Sequence, residues 1–157
     1  MGELTATDAA VQTVRGCVSR EQIMALQESM IQAQRDAGHE DSIGDSVECP
    51  VKHHFAPGLY AREIFMPAGH VVVGKIHRHA HVNTISRGRV VVATEFGTQE
   101  LVAPCTFVSL PGTKRAVAVQ EDTIWTTYHP TEETDLAVIE ASVIAPTFEA
   151  YEQGRLT

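Results

Sequence analysis

The sequence is poor in cysteine and in aromatic residues, and it contains no block of positive charge. Its three cysteines, Cys17, Cys49 and Cys105, are widely spread over 157 residues. An odd number at such spacing excludes a disulfide framework, and the lack of a Cys-x-x-Cys pair excludes a zinc site of that pattern. They read as reduced, buried thiols. The 12 Lys and Arg are scattered among 20 Asp and Glu, for a formal net charge of −8. Such a chain repels phosphate backbones, which excludes nucleic acid as a partner. No apolar run approaches the roughly 18–20 residues of a membrane span. The opening stretch MGELTATDAAVQTVRG lacks the charged and apolar blocks of a signal peptide. These absences predict a cytoplasmic protein with no membrane contact. Internal repeats and low-complexity tracts are absent as well.

What remains suits one globular domain with one core, with 43% hydrophobic and 20% charged residues. Ser19 followed by Gln22 is a helix-capping signal. Beyond it Ile23, Leu26, Met30, Ala33 and Ala37 recur at spacings of three and four, and Gly38 ends the pattern. This predicts an amphipathic helix whose stripe packs on the rest of the fold or on a second subunit. Residues 39–50 are polar and acidic and read as a linker. From Leu59 onward the texture is β: short segments rich in Val, Ile and Thr, separated by turn residues. The expected strands are 59–66, 70–77, 79–86, 89–95, 98–102, 105–110, 114–120, 123–129 and 136–143. With no helices alternating among them, they predict an all-β sandwich, jelly roll or barrel. The expected division is a helical extension and linker over 1–50, a barrel over 51–145 and a tail over 146–157, with Phe148 and Tyr151 available to dock the tail.

Eight histidines are present, and His77, His79 and His81 fall together in KIHRHAHVN. Alternate residues of a strand share a face, so all three can point one way. Neutral imidazole is a common ligand for zinc, iron, copper and nickel. A solvent-facing strand that happens to carry histidine is the plain alternative. Tyr60 and Arg62 share a face of their strand and Glu63 lies on the other. Lone aromatics on strands usually pack, so Tyr60, Trp125 and Tyr128 receive no chemical role.

The spacing around the triplet resembles the first cupin motif, which runs glycine, five residues, His-x-His, three or four residues, Glu, six residues, glycine. Here the run is Gly69, five residues, Lys75-Ile76-His77, three residues, His81, six residues, Gly88. In this register His81 replaces the glutamate and Lys75 the first histidine. A rival register pairs His77 with His79 and puts Asn83 at the glutamate position. The second motif survives in PCTFVSLPGTKRAVAV as Pro104, Leu110, Gly112, Arg115 and Val119, with Arg115 where the family carries its metal histidine. The likeness spans roughly residues 55–143. It is most similar to the small single-domain cupins that tailed bacteriophages encode, with stretches such as PGLYAREIFMPAG and EDTIWTTYHPTEETDL.

The resemblance implies a double-stranded β-helix, a jelly-roll barrel with an N-terminal α-helix. It also implies a divalent transition metal, with zinc, nickel, iron and manganese all open. His77 and His81 would be two ligands and His129, at the end of TIWTTYH, the third. His53, His79 and Asn83 are additional ligand or pocket candidates. In cupin orientation Lys75 and Arg115 would both enter the barrel mouth. A buried cation needs a partner, either a carboxylate such as Glu63, Glu95 or Glu140, or an anionic substrate. Three readings stay open: a metal-binding cupin of unnamed reaction on a small anionic molecule, a non-catalytic structural or ligand-binding phage-type cupin, and a metal-free sugar epimerase or isomerase. A small-molecule partner, a homodimer through the helix and barrel, and, for a phage-encoded chain, the host cytoplasm complete the expectations.

Overall fold

The computed structural model describes residues 2–39 and 48–156. Most of the expected linker therefore lies outside the described residues. Two helices, α1 (Ala6–Arg15) and α2 (Arg20–Asp36), precede eight strands: β1 (Val51–Ala56), β2 (Leu59–Met66), β3 (Val71–Val73), β4 (Ile76–His77), β5 (His81–Thr94), β6 (Gly97–Val102), β7 (Cys105–Ser109) and β8 (Ala116–Pro130). Then follow α3 (Leu136–Val143), β9 (Ile144–Ala145) and α4 (Phe148–Arg155). The main sheet runs β1-β2-β8-β5-β6, with β3 added to β8 and β7 to β5, while β4 and β9 form a separate pair. Every pairing is antiparallel.

Two long strands carry the architecture, and the sequence reading cut each of them in two. The expected strands 79–86 and 89–95 are one strand, β5. Those at 114–120 and 123–129 are one strand, β8. The expected turn at Arg87-Gly88 is instead a bulged stretch of β5, where the register against β8 shifts between Ile85 and Val90. Gly88 sits there at φ +97°, and a Cβ would collide with Thr123 Oγ1 and the Asp122 carbonyl, so the bend requires glycine. Either side of the bulge β5 changes partner. Its first half pairs with β7 and its second with β6, and both pair with β8.

Beyond the bulge both faces of the sheet are covered. Val90, Val92, Val117 and Val119 point inward and join Met66, Ile85 and Trp125. Val91, Ala93, Ala116 and Ala118 point outward and are sealed by Ala10 and Val14 of α1, Cys17, and Ile23 of α2. Each fully buried Val or Ile contributes about 1.5–3 kcal/mol relative to exposure. The helical stripe thus packs on its own barrel through Ile23 and Leu26, whereas Ala33 and Ala37 are exposed. No disulfide joins the cysteines among the described residues, and Cys17 and Cys49 are buried.

Three elements depart from the sequence expectations. Helix α1 was not anticipated, although Thr5 and Asp8 form a full capping box. Thr5 Oγ1 accepts from the Asp8 N–H (3.1 Å) and the Asp8 carboxylate accepts from the Thr5 N–H (3.2 Å). Residues 136–143 are helix α3, not a strand. Asp135 caps it by accepting from the N–H groups of Ala137 and Val138, and this local cap overrides the β propensity of Val and Ile. The tail forms a helix: after β9 pairs with β4, α4 seats Tyr151 against Gly112, where a Cβ would strike the tyrosine ring. Phe148 and Tyr151 both dock, on a small core with Ile76 and Ala145. No described helix is long and apolar enough to cross a membrane.

Candidate functional site

On the near side of the bulge the inward positions turn polar. Alternation along β5 puts His81, Asn83 and Ile85 on one face, and along β8 Trp125, Thr127 and His129. The register sets Asn83 opposite Thr127 and Ile85 opposite Trp125. β2 adds Tyr60 opposite His129 and Arg62 opposite Thr127. β4 delivers His77, whose carbonyl accepts from the Gly112 N–H (2.9 Å) and whose strand pairs with β9.

The rings of His77, His81 and His129 meet. Their centroids are 4.1 Å apart for His77–His81, 5.3 Å for His77–His129 and 5.4 Å for His81–His129. His81 is 5% and His129 6% exposed, so the cluster lies inside the barrel and not on a wet edge. Burial holds His77 neutral down to about 3, helped by the nearby His81, His129, Arg115 and Arg62. Burial likewise brings His129 down to about 4, with His81, Arg62 and His79 adding to the effect. His81 is also lowered by burial, against an opposing hydrogen bond to the His79 carbonyl, with Arg115 contributing. That bond, from Nδ1 (3.2 Å), leaves Nε2 as the unprotonated nitrogen of neutral His81. The buried Nδ1 of His77 has no hydrogen-bond partner.

A polar network lies beside the cluster. Asn83, 1% exposed, accepts at Oδ1 from Trp125 Nε1 (3.0 Å) and Thr127 Oγ1 (3.3 Å). Its Nδ2 donates to Ser109 Oγ (2.7 Å) and the His81 carbonyl (3.3 Å). Arg115 donates to the same Ser109 Oγ (2.6 Å) and lies 5.8 Å from the centre of the Phe107 ring. Asn83 is therefore not free to act as a ligand: its four hydrogen bonds occupy both ends of the amide, and it orients His81 and Arg115 instead.

On the other wall Tyr60, 4% exposed, stacks on His129 at 6.1 Å. Its hydroxyl is 2.7 Å from Nδ1 of the exposed His53. Burial raises the Tyr60 phenol, Glu140 adds to this, and Arg62 opposes it. His53 is thus one step removed from the three-ring cluster. His79 is exposed at the rim, where it lines a small cavity with His77, Ala80, His129, Pro130 and Val143.

Lys75 is not brought into the mouth. It pairs with Glu140, both side chains about half exposed (47% and 56%). Glu95 is taken by Arg20 and Glu63 faces His54 (3.6 Å), so none of the three expected carboxylates neutralises Arg115. Sequence reading also assigned no role to Tyr60, Arg62 or Ser109. The strand alternation that groups Tyr60 with Arg62 was visible, but the neighbour that gives it meaning, His129, is set by the β2–β8 register.

The donor chemistry fits a transition metal: three neutral imidazoles, one with an orphaned buried nitrogen. The placement is less open. No group of three or more His, Cys, Asp or Glu among the described residues stands ready to hold an ion. Two imidazoles bonded to one ion at about 2.1 Å put their ring centres roughly 5 Å apart, and His77 and His81 are closer than that. Loading requires these two rings to part.

The sequence matches no protein-family model and no curated protein. Among solved structures it is similar to the ectoine synthase of P. lautus, at 11% identity and a TM-score of 0.52, over 66% of this chain and 78% of that one. It is also similar to KdgF from Halomonas sp., at 19% identity and a TM-score of 0.47, over 55% of this chain and 83% of that one. A third is an RmlC-like cupin family protein with a double-stranded β-helix fold from Methanocaldococcus jannaschii, at 11% identity and a TM-score of 0.46, over 57% and 85%. Likeness at these identities is one of fold. With its antiparallel strands rolled around β5 and β8, the chain has the all-β, double-stranded β-helix fold of the cupins.

Proposed function

We propose that the chain is a metal-binding cupin that takes a small anionic molecule in its barrel. The observation that carries this reading is the convergence of the half-buried His77 with the buried His81 and His129 as neutral imidazoles. His77 and His81 with His129 would hold a divalent ion such as zinc, nickel, iron or manganese. Such an ion would supply Lewis-acid polarisation of a ligand oxygen. The chain's own residues do the rest. Arg115, fixed on Ser109, presents a guanidinium with no carboxylate partner among the described residues and so favours an anion. Asn83 sets the position of both. In the same reading the activity belongs to the cytoplasm of an infected host, which the resemblance to small phage-encoded cupins supports.

A second reading, metal-free acid–base chemistry of the epimerase or isomerase kind, is favoured by one feature. The Tyr60 hydroxyl lies within hydrogen-bond distance of the exposed His53, and its ring stacks on His129. A neutral histidine as base beside a buried phenol as acid is a workable proton-transfer pair.

Elemental analysis separates the two. Purified protein equilibrated in turn with zinc, nickel, manganese and ferrous iron, then freed of unbound ion, is expected to retain close to one ion per chain with at least one metal. A His77→Ala/His81→Ala variant is expected to retain none. Wild-type protein that retains no ion of any kind contradicts the metal reading and leaves the Tyr60 pair as the chemistry of the pocket.

A further inference from the structure

Arg62 has no function in either reading, and its position calls for one. It lies half-buried on β2, between His53 of β1 and Thr127 of β8. By alternation it shares the inner face with Tyr60, two residues away, whose ring stacks on His129. The Arg62 side chain makes no hydrogen bond or ion pair with any described residue. A half-buried guanidinium with no carboxylate beside it keeps its donors available to an anion. Arg115 is in the same condition on a different wall, in the turn between β7 and β8, held only by a neutral hydroxyl.

The two arginines flank the histidines from different sides. Arg115 is tied through Ser109 and Asn83 to the His81 carbonyl on β5, whereas Arg62 stands on β2 two residues from Tyr60, whose ring stacks on His129. A ligand over the cluster would meet one cation at each end.

We propose that the pocket selects a small organic molecule with two carboxylates, one received by Arg115 beside His81 and the other by Arg62 beside His129. This rests on the reading of the barrel mouth as an anion site, and it does not require a metal. Arg62 is then a specificity-determining residue. With Arg115 alone the site would accept any monocarboxylate, and the second guanidinium makes the second carboxylate count.

The test is calorimetric titration of chelator-treated protein, and in parallel of metal-loaded protein, with malonate, succinate and glutarate, each against the monocarboxylate of equal chain length. Inorganic phosphate is the compact-anion control. At least one dicarboxylate is expected to bind tenfold or more tighter than its monocarboxylate match, roughly the value of one charge-assisted bidentate contact. Arg62→Gln is expected to bring that ratio close to one while leaving monocarboxylate binding in place. Arg62→Lys, which keeps the charge, is expected to retain part of the preference and so guards against a folding artefact. Equal binding of the two series, absence of binding by both, a preference for phosphate over every dicarboxylate, or a ratio unchanged in Arg62→Gln would each overturn the proposal. The outcome is distinct from that of metal loading. A dicarboxylate preference in protein that retains no ion after equilibration with each metal sinks the metal reading alone, and a loaded ion with no preference sinks this proposal alone.

Discussion

The two ends of β5 and β8 make an instructive comparison, because the same pair of strands builds both. Beyond the bulge the inward residues are Val90, Val92, Val117 and Val119, and the outward ones are sealed by α1. Before it, the same pleat points His81, Asn83, Thr127 and His129 inward. The backbone chooses which residues face inside, and residue type then decides whether that interior is filling or a site. At the apolar end no side chain needs a partner. At the polar end nearly every group has one, through Asn83 and Ser109, and the exceptions are informative. His77 Nδ1 and the two arginines without carboxylates all collect at the mouth. Unmet polar groups beside three imidazoles suit an end that receives a ligand, although among the described residues Gln120 Oε1, on β8 near the bulge, is also buried without a hydrogen-bond partner.

Mutations along this axis should separate stability from chemistry. The largest expected effect is on the border between the two ends, where Ile85→Ala removes a fully buried side chain. A loss of about 2–5 kcal/mol in urea unfolding is expected; a loss well under that would mean the two ends are not one cooperative core. Next is Asn83→Ala, which strips the Trp125 indole N–H of its acceptor and Ser109 of a donor. Leaving such groups buried costs about 1–3 kcal/mol, and the variant should also lose order at Arg115, seen as weakened anion binding. The smallest effect is Lys75→Ala. Its exposed pair with Glu140 is worth only about 0–1 kcal/mol, and anion binding should be unchanged. A large loss of anion binding in this variant would return Lys75 to the pocket.

The sequence carried much of this in its local patterns. The strand rhythm and the glycine spacing gave an all-β barrel, and the period of two grouped His77 with His81. His129 was reachable because it stood on a strand with Trp125 and Thr127. What stayed hidden depends on register or on caps. Whether Arg62 meets His129 or Thr127 is decided by how β2 pairs with β8, which periodicity cannot supply. Whether Lys75 turns inward depends on Glu140, and Glu140 lies on a segment read as strand that Asp135 caps into a helix. The bulge at Gly88 had the signature of a turn, since both use a positive φ.

The central claim is that neutral imidazoles converge inside the barrel, and protonation tests it most directly. In the metal-free chain His77 and His129 take up protons only near about 3 and about 4, whereas in the unfolded chain they do so near 6.5. Between those values the unfolded state binds more protons, so stability rises with pH through the window and is lost as acid is added. Long-range proton–nitrogen spectra of the histidine rings in chelator-treated protein, with His77 and His129 assigned by single substitution, follow each ring from about pH 7.5 to 5. Both are expected to stay neutral throughout. Titration of either ring with a midpoint near 6.5 would place it in water and contradict the convergence on which the proposed chemistry stands.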